Sequence, residues 1–268
     1  MTEIFNDINK MYRFSRPTEL LAPFIEFFSE SCGAQTTSVF DGKPFSVKLF
    51  PSWTPTIWIN LGKPYGLQMN GRTTLLQKDE DILILRDGTV TRQIHPADHI
   101  FTIKFFPGGL QAIMGIEQPV LRNKICSAAA FLPAKLIACI KNQYDFTDRK
   151  SLVETFFLQQ LQQQPPRDHY TKLVRDSIGL YAEDNMHYNI SQVAEKMFVT
   201  SKTINRYFHR VVGTAPKQYF ALLKTRKALS FYAADKINFD PTRHGYYDHS
   251  HFYKAVQDFT GDRLTARQ

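Results

Sequence analysis

The sequence predicts an α+β protein: a β-barrel or β-sandwich with flanking helices first, and an all-helical part after it. Two patterns and one boundary predict this. Short runs rich in Val, Ile, Phe, Trp and Thr, cut by Gly, Pro, Asn and Asp, crowd residues 45–106, which is how a set of short strands reads. After Gly109 the apolar spacing becomes helical. Between the two parts, Gln162 to Gln164 followed by Pro165-Pro166 makes a polar, proline-closed stretch. We place the domain boundary there, giving residues 1–166 and 167–268. A length of 268 residues favours two domains, and 43% apolar content is enough to bury a core in each.

Residues 1–30 read as a lead-in ending in a short apolar helix over 20–29. Strands are expected at 45–50, 55–61, 81–85, 89–95 and 100–105. Turn signals stand at Lys63-Pro64, Asn70-Gly71 and Pro107-Gly108-Gly109, and Asp87-Gly88 predicts a hairpin between two of the runs. Helices follow at 110–116, 132–144 and 152–164. In the last, Leu152, Phe156, Leu158 and Leu161 form an apolar side; it could pack on its own barrel or pair with its twin in a dimer.

From Asp168 onward the chain reads as helix. The first covers 170–183. Asn189 caps a second over 190–197, with Gln192 three places on. Its Ile190, Val193, Ala194 and Met197 keep the i, i+3, i+4, i+7 rule. Phe198-Val199 make a tight turn, and Thr200 caps a third helix over 201–212 that Gly213 ends. Pro216 starts a long fourth helix to about Ala234. A short helix over 241–244 ends at Gly245, and Asp248 caps a last one over 249–259, stopped by Gly261.

Charge is distributed unevenly. Bases exceed acids by 2 in residues 1–166 and by 6 in residues 167–268. From Lys196 to Ala234, 39 residues hold eight Lys or Arg and no Asp or Glu. A one-signed field on two helices and a turn implies a polyanion partner, and here double-stranded DNA. Three unpaired-looking cysteines without a CxxC predict a reducing cytoplasm and exclude a zinc site or disulfide frame. The first residues carry early acids and lack an apolar run, so no secretory signal is expected. No stretch reaches 18 apolar residues, so no membrane partner is expected.

On the helix over 201–212, Ile204, Phe208 and Val211 share one face and should lock onto Ala194 and Met197. The other face shows Ser201, Lys202, Asn205, Arg206, His209 and Arg210. Arg and Lys suit guanine O6 and N7, and Asn suits adenine N6 and N7, at ~1–3 kcal/mol of discrimination per good bidentate contact. The N-terminal residues of such a helix reach the groove floor first. Ser201, Lys202, Asn205 and Arg206 are therefore the expected base readers. His209, Arg210 and Lys217 are the expected phosphate contacts. Arg206 could instead pair with an acid of its own domain, although none lies within a helical turn of it in sequence.

The runs Ile190-Ser-Gln-Val-Ala-Glu-Lys-Met197, Thr200-Ser-Lys-Thr-Ile-Asn-Arg-Tyr-Phe208 and Gly213-Thr-Ala-Pro-Lys-Gln-Tyr219 resemble the first half of an AraC/XylS-type regulator domain. Gly245-Tyr-Tyr-Asp-His-Ser-His-Phe252 and Phe259-Thr-Gly261 resemble its second half. The resemblance covers about Asp168 to the end. It implies two helix-turn-helix units joined by one long helix, with Ala228 at a position where the family usually has Ala. It also implies a second reading helix that presents His249, Ser250, Tyr253 and Lys254. Four departures stand out: Asp240-Pro241 replaces Ile-Ala, Val256 stands for Phe, Leu264 for Pro, and Ala215 for a Ser or Thr cap. The second unit therefore reads as weakened, and the first should dominate binding.

Regulators of this type commonly carry a cupin-like β-barrel for sensing or dimerisation. Trp58-Ile-Asn-Leu-Gly62 and Phe105-Phe-Pro-Gly-Gly109 look like an N-terminal module of that kind. Phe45, Phe50, Trp53, Trp58 and Tyr65 could line an apolar effector pocket or simply fill the barrel interior. A small-molecule effector and a homodimer thus remain open. No cofactor and no metal are expected: His95 and His99 are a poor ligand set, and His249 and His251 point to different helix faces near His244. No GxSxG, P-loop or GxGxxG occurs, so no catalytic residues are expected. The expectation is a sequence-specific transcriptional regulator rather than an enzyme. The alternative is a small-molecule-binding or catalytic β-barrel whose basic tail holds polyanions non-specifically.

Overall fold

The computed structural model describes residues 11–31, 45–94, 98–164 and 169–264. Ten strands lie within them: β1 (Tyr12–Ser15), β2 (Ile25–Ser31), β3 (Phe45–Leu49), β4 (Pro55–Asn60), β5 (Tyr65–Met69), β6 (Arg72–Leu76), β7 (Ile82–Leu85), β8 (Val90–Ile94), β9 (Ile100–Phe105) and β10 (Ile125–Ser127). They form a six-stranded sheet, β1-β2-β9-β4-β7-β10, and a four-stranded sheet, β3-β8-β5-β6. Every pairing is antiparallel. The α+β expectation holds, with a β-rich first part and a helical second part.

The large sheet is buried on both faces, apolar toward the helices and mixed toward the small sheet, where Thr56, Thr102 and Lys104 lie beside Trp58. Along β4 and β9, Ile57, Ile59, Phe101, Ile103 and Phe105 face the helices, in one cluster with Leu110, Val153 and Phe157. The intervening Trp58 and Ile100 face the small sheet, among Leu67, Met69 and Val90. Period-two alternation therefore sorts one strand's side chains into two different cores.

Two expectations are corrected, and one hairpin has no counterpart among the expected strands. The run over 20–29 contains β2, not a helix. It pairs with β1 and β9 near the middle of the large sheet, and a short apolar run does not by periodicity distinguish strand from helix. Strands β5 and β6 carry too little alternation to be read from sequence, yet they flank the Asn70-Gly71 turn, where both residues have positive φ (52° and 74°), the signature of a type I′ hairpin. Asp87-Gly88 makes no hairpin. Strand β7 pairs with β4 and β10, while β8 pairs with β3 and β5, so this turn hands the chain from one sheet to the other.

Helices α1 (Gly109–Met114), α2 (Ala134–Asn142) and α3 (Phe146–Gln163) cover the outer face of the large sheet. A Cβ on Gly109 would lie 2.1 Å from the Phe24 carbonyl oxygen, so only glycine lets α1 start against that backbone. Helix α3 begins earlier than its apolar run, because Asp145 accepts from the Thr147 amide at 2.6 Å and caps it. Arg149 then fastens α3 to β2 through both Glu30 oxygens, at 2.9 and 3.0 Å. Phe157 closes the contact edge-on to Phe105.

The second part contains α4 (His169–Glu183), α5 (Ile190–Lys196), α6 (Ser201–Val211), α7 (Pro216–Ala234), a 3-10 turn (Pro241–His244) and α8 (His249–Thr260). Two cores flank α7. One gathers Val174, Val193, Ala194, Ile204, Phe208, Tyr219 and Phe220; the other gathers Ala228, Leu229, Phe239, Phe252, Val256 and Phe259. The boundary expected at 166/167 lies outside the described residues.

The two parts meet around Gln118. Gln118 is fully buried; its Nε2 donates to the carbonyls of Trp53 and Val212, both at 2.8 Å, and its Oε1 accepts from the Gly108 amide at 3.2 Å. Trp53 sits in the left-handed region (φ 50°), which costs a bulky residue roughly 1–2 kcal/mol. Its ring bridges the barrel-side core and the α6 core.

Candidate nucleic-acid interface

Local capping sets the first helix-turn-helix. The Asn189 side chain accepts from the Gln192 amide at 3.0 Å, and the Gln192 side chain accepts from the Asn189 amide at 2.8 Å. This reciprocal capping box satisfies two otherwise orphaned donors of α5. Phe198 makes the turn in left-handed conformation (φ 55°) with its ring fully exposed. Thr200 then accepts from the Thr203 amide at 3.1 Å and starts α6.

Helix α6 is sharply two-sided. Ile204, Tyr207, Phe208 and Val211 are buried, and each such burial is worth roughly 1.5–3 kcal/mol. Ser201, Lys202, Asn205, Arg206, His209 and Arg210 are all exposed on the other side. Among the described residues no carboxylate meets Arg206. It stands instead over the Tyr207 ring at 5.0 Å and donates to that phenol at 3.3 Å. Tyr207 is anchored in turn by His169 at 3.1 Å and by the Tyr170 ring at 4.4 Å. Arg210 stacks 4.2 Å over Tyr170. Both arginines thus stand over aromatic rings of α4 and α6, and the ring under Arg206 leaves its positive charge in place. Sequence reasoning missed this aromatic support. Its signal is the aromatic pair His169-Tyr170 at the start of α4, together with Tyr207 on α6. Lys217 is exposed in the first turn of α7, where the helix N-terminus adds to the positive potential.

The acid-free stretch overstates its own surface charge. Arg226 is 1% exposed on the inner side of α7, in step with buried Tyr219 and Leu223. It and Lys104 face Glu26 of β2. Burial opposes ionisation of Glu26, but nearby positive charge, Lys104 foremost, holds its carboxyl below the ordinary value. Lys224 is partly buried, donates to the Gly245 carbonyl at 3.1 Å, and has its pKa lowered by burial.

In the second unit, Asp248 caps α8 by accepting from the His251 amide at 2.7 Å. His249, Ser250, Tyr253 and Lys254 are exposed along its first turns. Tyr253 also leans edge-on against Tyr232. Pro241 opens only a single 3-10 turn where the first unit has α5, with Asp240 capping it at 2.9 Å from the Thr242 amide. His244 lies between the rings of Phe231 and Phe239, and burial lowers its pKa. Among the described residues no cluster of His, Cys, Asp or Glu could hold a metal ion, and no helix is long and apolar enough to cross a membrane.

Of the residues expected to form an effector pocket, Trp58 and Tyr65 lie together, 6.4 Å between ring centres, while Phe50 and Trp53 lie apart from them. The Phe45 side chain lies outside the described residues. Phe50 turns toward the helical part and meets Phe259 at 5.3 Å between ring centres, and Trp53 occupies the joint. Trp58 and Tyr65 are buried between the sheets. A cavity of 50 Å³ does lie there, against Trp58, Phe14, Phe27, Arg86, Arg92 and Lys104. Arg92 pairs with Asp98 at 3.0 Å and with the Tyr12 hydroxyl at 2.6 Å. Lys104 pairs with Glu26 at 3.4 Å.

No family model matches the chain, and no curated protein matches it. Among solved structures it is similar to ToxT from Vibrio cholerae, at TM-score 0.45 and 9% identity over 83% of this chain and 96% of that one. Another structure of ToxT from Vibrio cholerae, with an unsaturated fatty acid bound, gives TM-score 0.43 and 8% identity over 82% and 92%. The AraC-like transcriptional activator CuxR gives TM-score 0.34 and 10% identity over 84% and 88%.

Proposed function

We propose that the chain is a sequence-specific DNA-binding transcriptional regulator of AraC type, with residues 1–166 as a sensing or dimerising domain and residues 167–268 as the DNA-binding domain. One observation supports this above the others. The outward face of α6 shows Ser201, Lys202, Asn205 and Arg206 at its N-terminal end, all exposed, with no carboxylate on Arg206 among the described residues. These side chains match base edges in the major groove, and the N-terminal end of a reading helix is what reaches them.

His209, Arg210 and Lys217 follow on and meet phosphates in this reading, which hold position without reading sequence. Helix α7 is 19 residues long, about 28 Å at 1.5 Å per residue. That length suits two units entering groove segments about one turn, ~34 Å, apart on one DNA face. The second unit contributes less in this reading, because one 3-10 turn capped by Asp240 replaces its supporting helix and the acidic Asp248 caps its reading helix. An effector would enter through the cavity between the sheets. At 50 Å³ that cavity is well below the ~300 Å³ of an ordinary ligand site, so binding there requires a wall to move.

The test is a salt titration of the full chain on a selected DNA site and on a scrambled one. Specific reading gives a ratio of ~10³ or more at physiological salt. Equal affinities would leave the basic second part as a non-specific polyanion holder and sink the proposal.

A further inference from the structure

One five-residue segment touches both reading helices and the cavity wall at once. It links β3 to β4, and its fastening point is Arg86, at the end of β7. The Arg86 carbonyl accepts from the amides of Ser52 (2.8 Å) and Trp53 (2.9 Å), and its own amide donates to the Thr54 carbonyl at 3.4 Å. Its guanidinium donates to the Phe50 carbonyl at 2.6 Å while forming part of the cavity wall. Four hydrogen bonds from one residue thus hold residues 50–54 as a unit.

Two of the segment's contacts reach the helical part. Phe50 lies against Phe259 in the last turns of α8. Trp53 lies against the C-terminal end of α6: its ring is 3.5 Å from where a Cβ on Gly213 would stand. Gln118 ties the Trp53 carbonyl to that of Val212. The left-handed backbone of Trp53 is a strained arrangement that persists only where its surroundings enforce it, and such strain gathers at switch points.

We propose that Arg86 is the positioning residue for DNA reading: through residues 50–54 it fixes the C-terminal ends of both reading helices to the barrel, so that displacing its guanidinium from the cavity side loosens α6 and α8 together. The consequence for DNA rests on the function proposed above; the mechanical coupling does not. Any group that enters the cavity and draws Arg86 off the Phe50 carbonyl would act on both units at once. An anionic group is suited to this, because a charged acceptor competes well against a neutral carbonyl.

Amide hydrogen exchange on the full chain without DNA tests the coupling. The readouts are the amides of Val212 and Gly213, which bond the Phe208 carbonyl, and of Gly261, which bonds that of Gln257. Arg86→Met should raise exchange at both ends by about tenfold or more, leaving β9 unchanged. Phe50→Ala removes a ring that meets α8, yet it should also raise exchange at Val212 and Gly213. Gln118→Leu should likewise raise it at Gly261. A response confined to the helix whose own contact was removed overturns the proposal, as does loss of protection across the whole barrel in these two variants. They decide the question even if Arg86→Met fails to fold. A chain that shows the cross-response but binds matched and scrambled DNA equally would refute the functional reading and keep the coupling.

Discussion

Arg206 stands 5.0 Å over the ring of Tyr207, its neighbour in sequence, and donates to that phenol at 3.3 Å. The ring aims the guanidinium and leaves its charge unneutralised. A carboxylate in the same place would aim it and cancel it.

Arg206→Ala should therefore cost ~1–3 kcal/mol of specific affinity, the worth of one bidentate base contact. Lys254→Ala on α8 should cost less. Arg206→Lys should restore little, because a point charge lacks the fork. Fluorescence anisotropy with selected DNA at fixed salt measures all three, and a larger loss for Lys254→Ala would contradict the dominance of the first unit.

Lys217→Ala should behave differently. As a phosphate contact it should weaken matched and scrambled DNA alike. The slope of log K against log salt should fall by about 1, the release of one phosphate's counterions. A change in sequence preference with an unchanged slope would instead make Lys217 a base reader.

Glu26 gives a pH dependence with a definite sign. Its side chain is 5% exposed beside Lys104, and its folded pKa is lowered. A depressed carboxyl adds stability above its unfolded pKa, about 4.3, and loses it as pH falls through the folded value. Glu26→Gln should thus be less stable than the parent chain at pH 7, and the gap should close on acidification. Urea midpoints at a series of pH values test this; a gap that widens below pH 4 would reverse the assignment.

Asn189→Ala should cost about 1 kcal/mol by removing the α5 cap. Asn189→Asp should recover most of that, since it keeps the accepting oxygen. Thermal unfolding of the full chain reads both.

The helical part was largely legible because its signals are local. Asn189, Thr200, Pro216, Asp248, Gly213, Gly245 and Gly261 each act within a few residues of the helix end they define, and the exposed face of α6 follows from periodicity alone. The β part was less so. Whether β7 pairs with β8 or with β4 is decided by sheet membership, which no dipeptide encodes; the same holds for β2. Around the site, the signs of Lys and Arg were readable but their depths were not. Arg226 is buried because it falls in step with Tyr219 and Leu223, and Phe50 and Trp53 face the helical part because residues 50–54 run between the sheets at that edge.

The large sheet has a kinetic consequence. Strand β2 pairs with β9, so Phe28 stands opposite Ile103, far along the chain. Antiparallel pairing across such a separation raises contact order and slows folding, whereas the helices after residue 169 close over short range. The helical part is thus set to mature first and the barrel to lag. Until β9 docks, the Phe-rich β1–β2 ribbon is an open edge on which two half-folded copies could join.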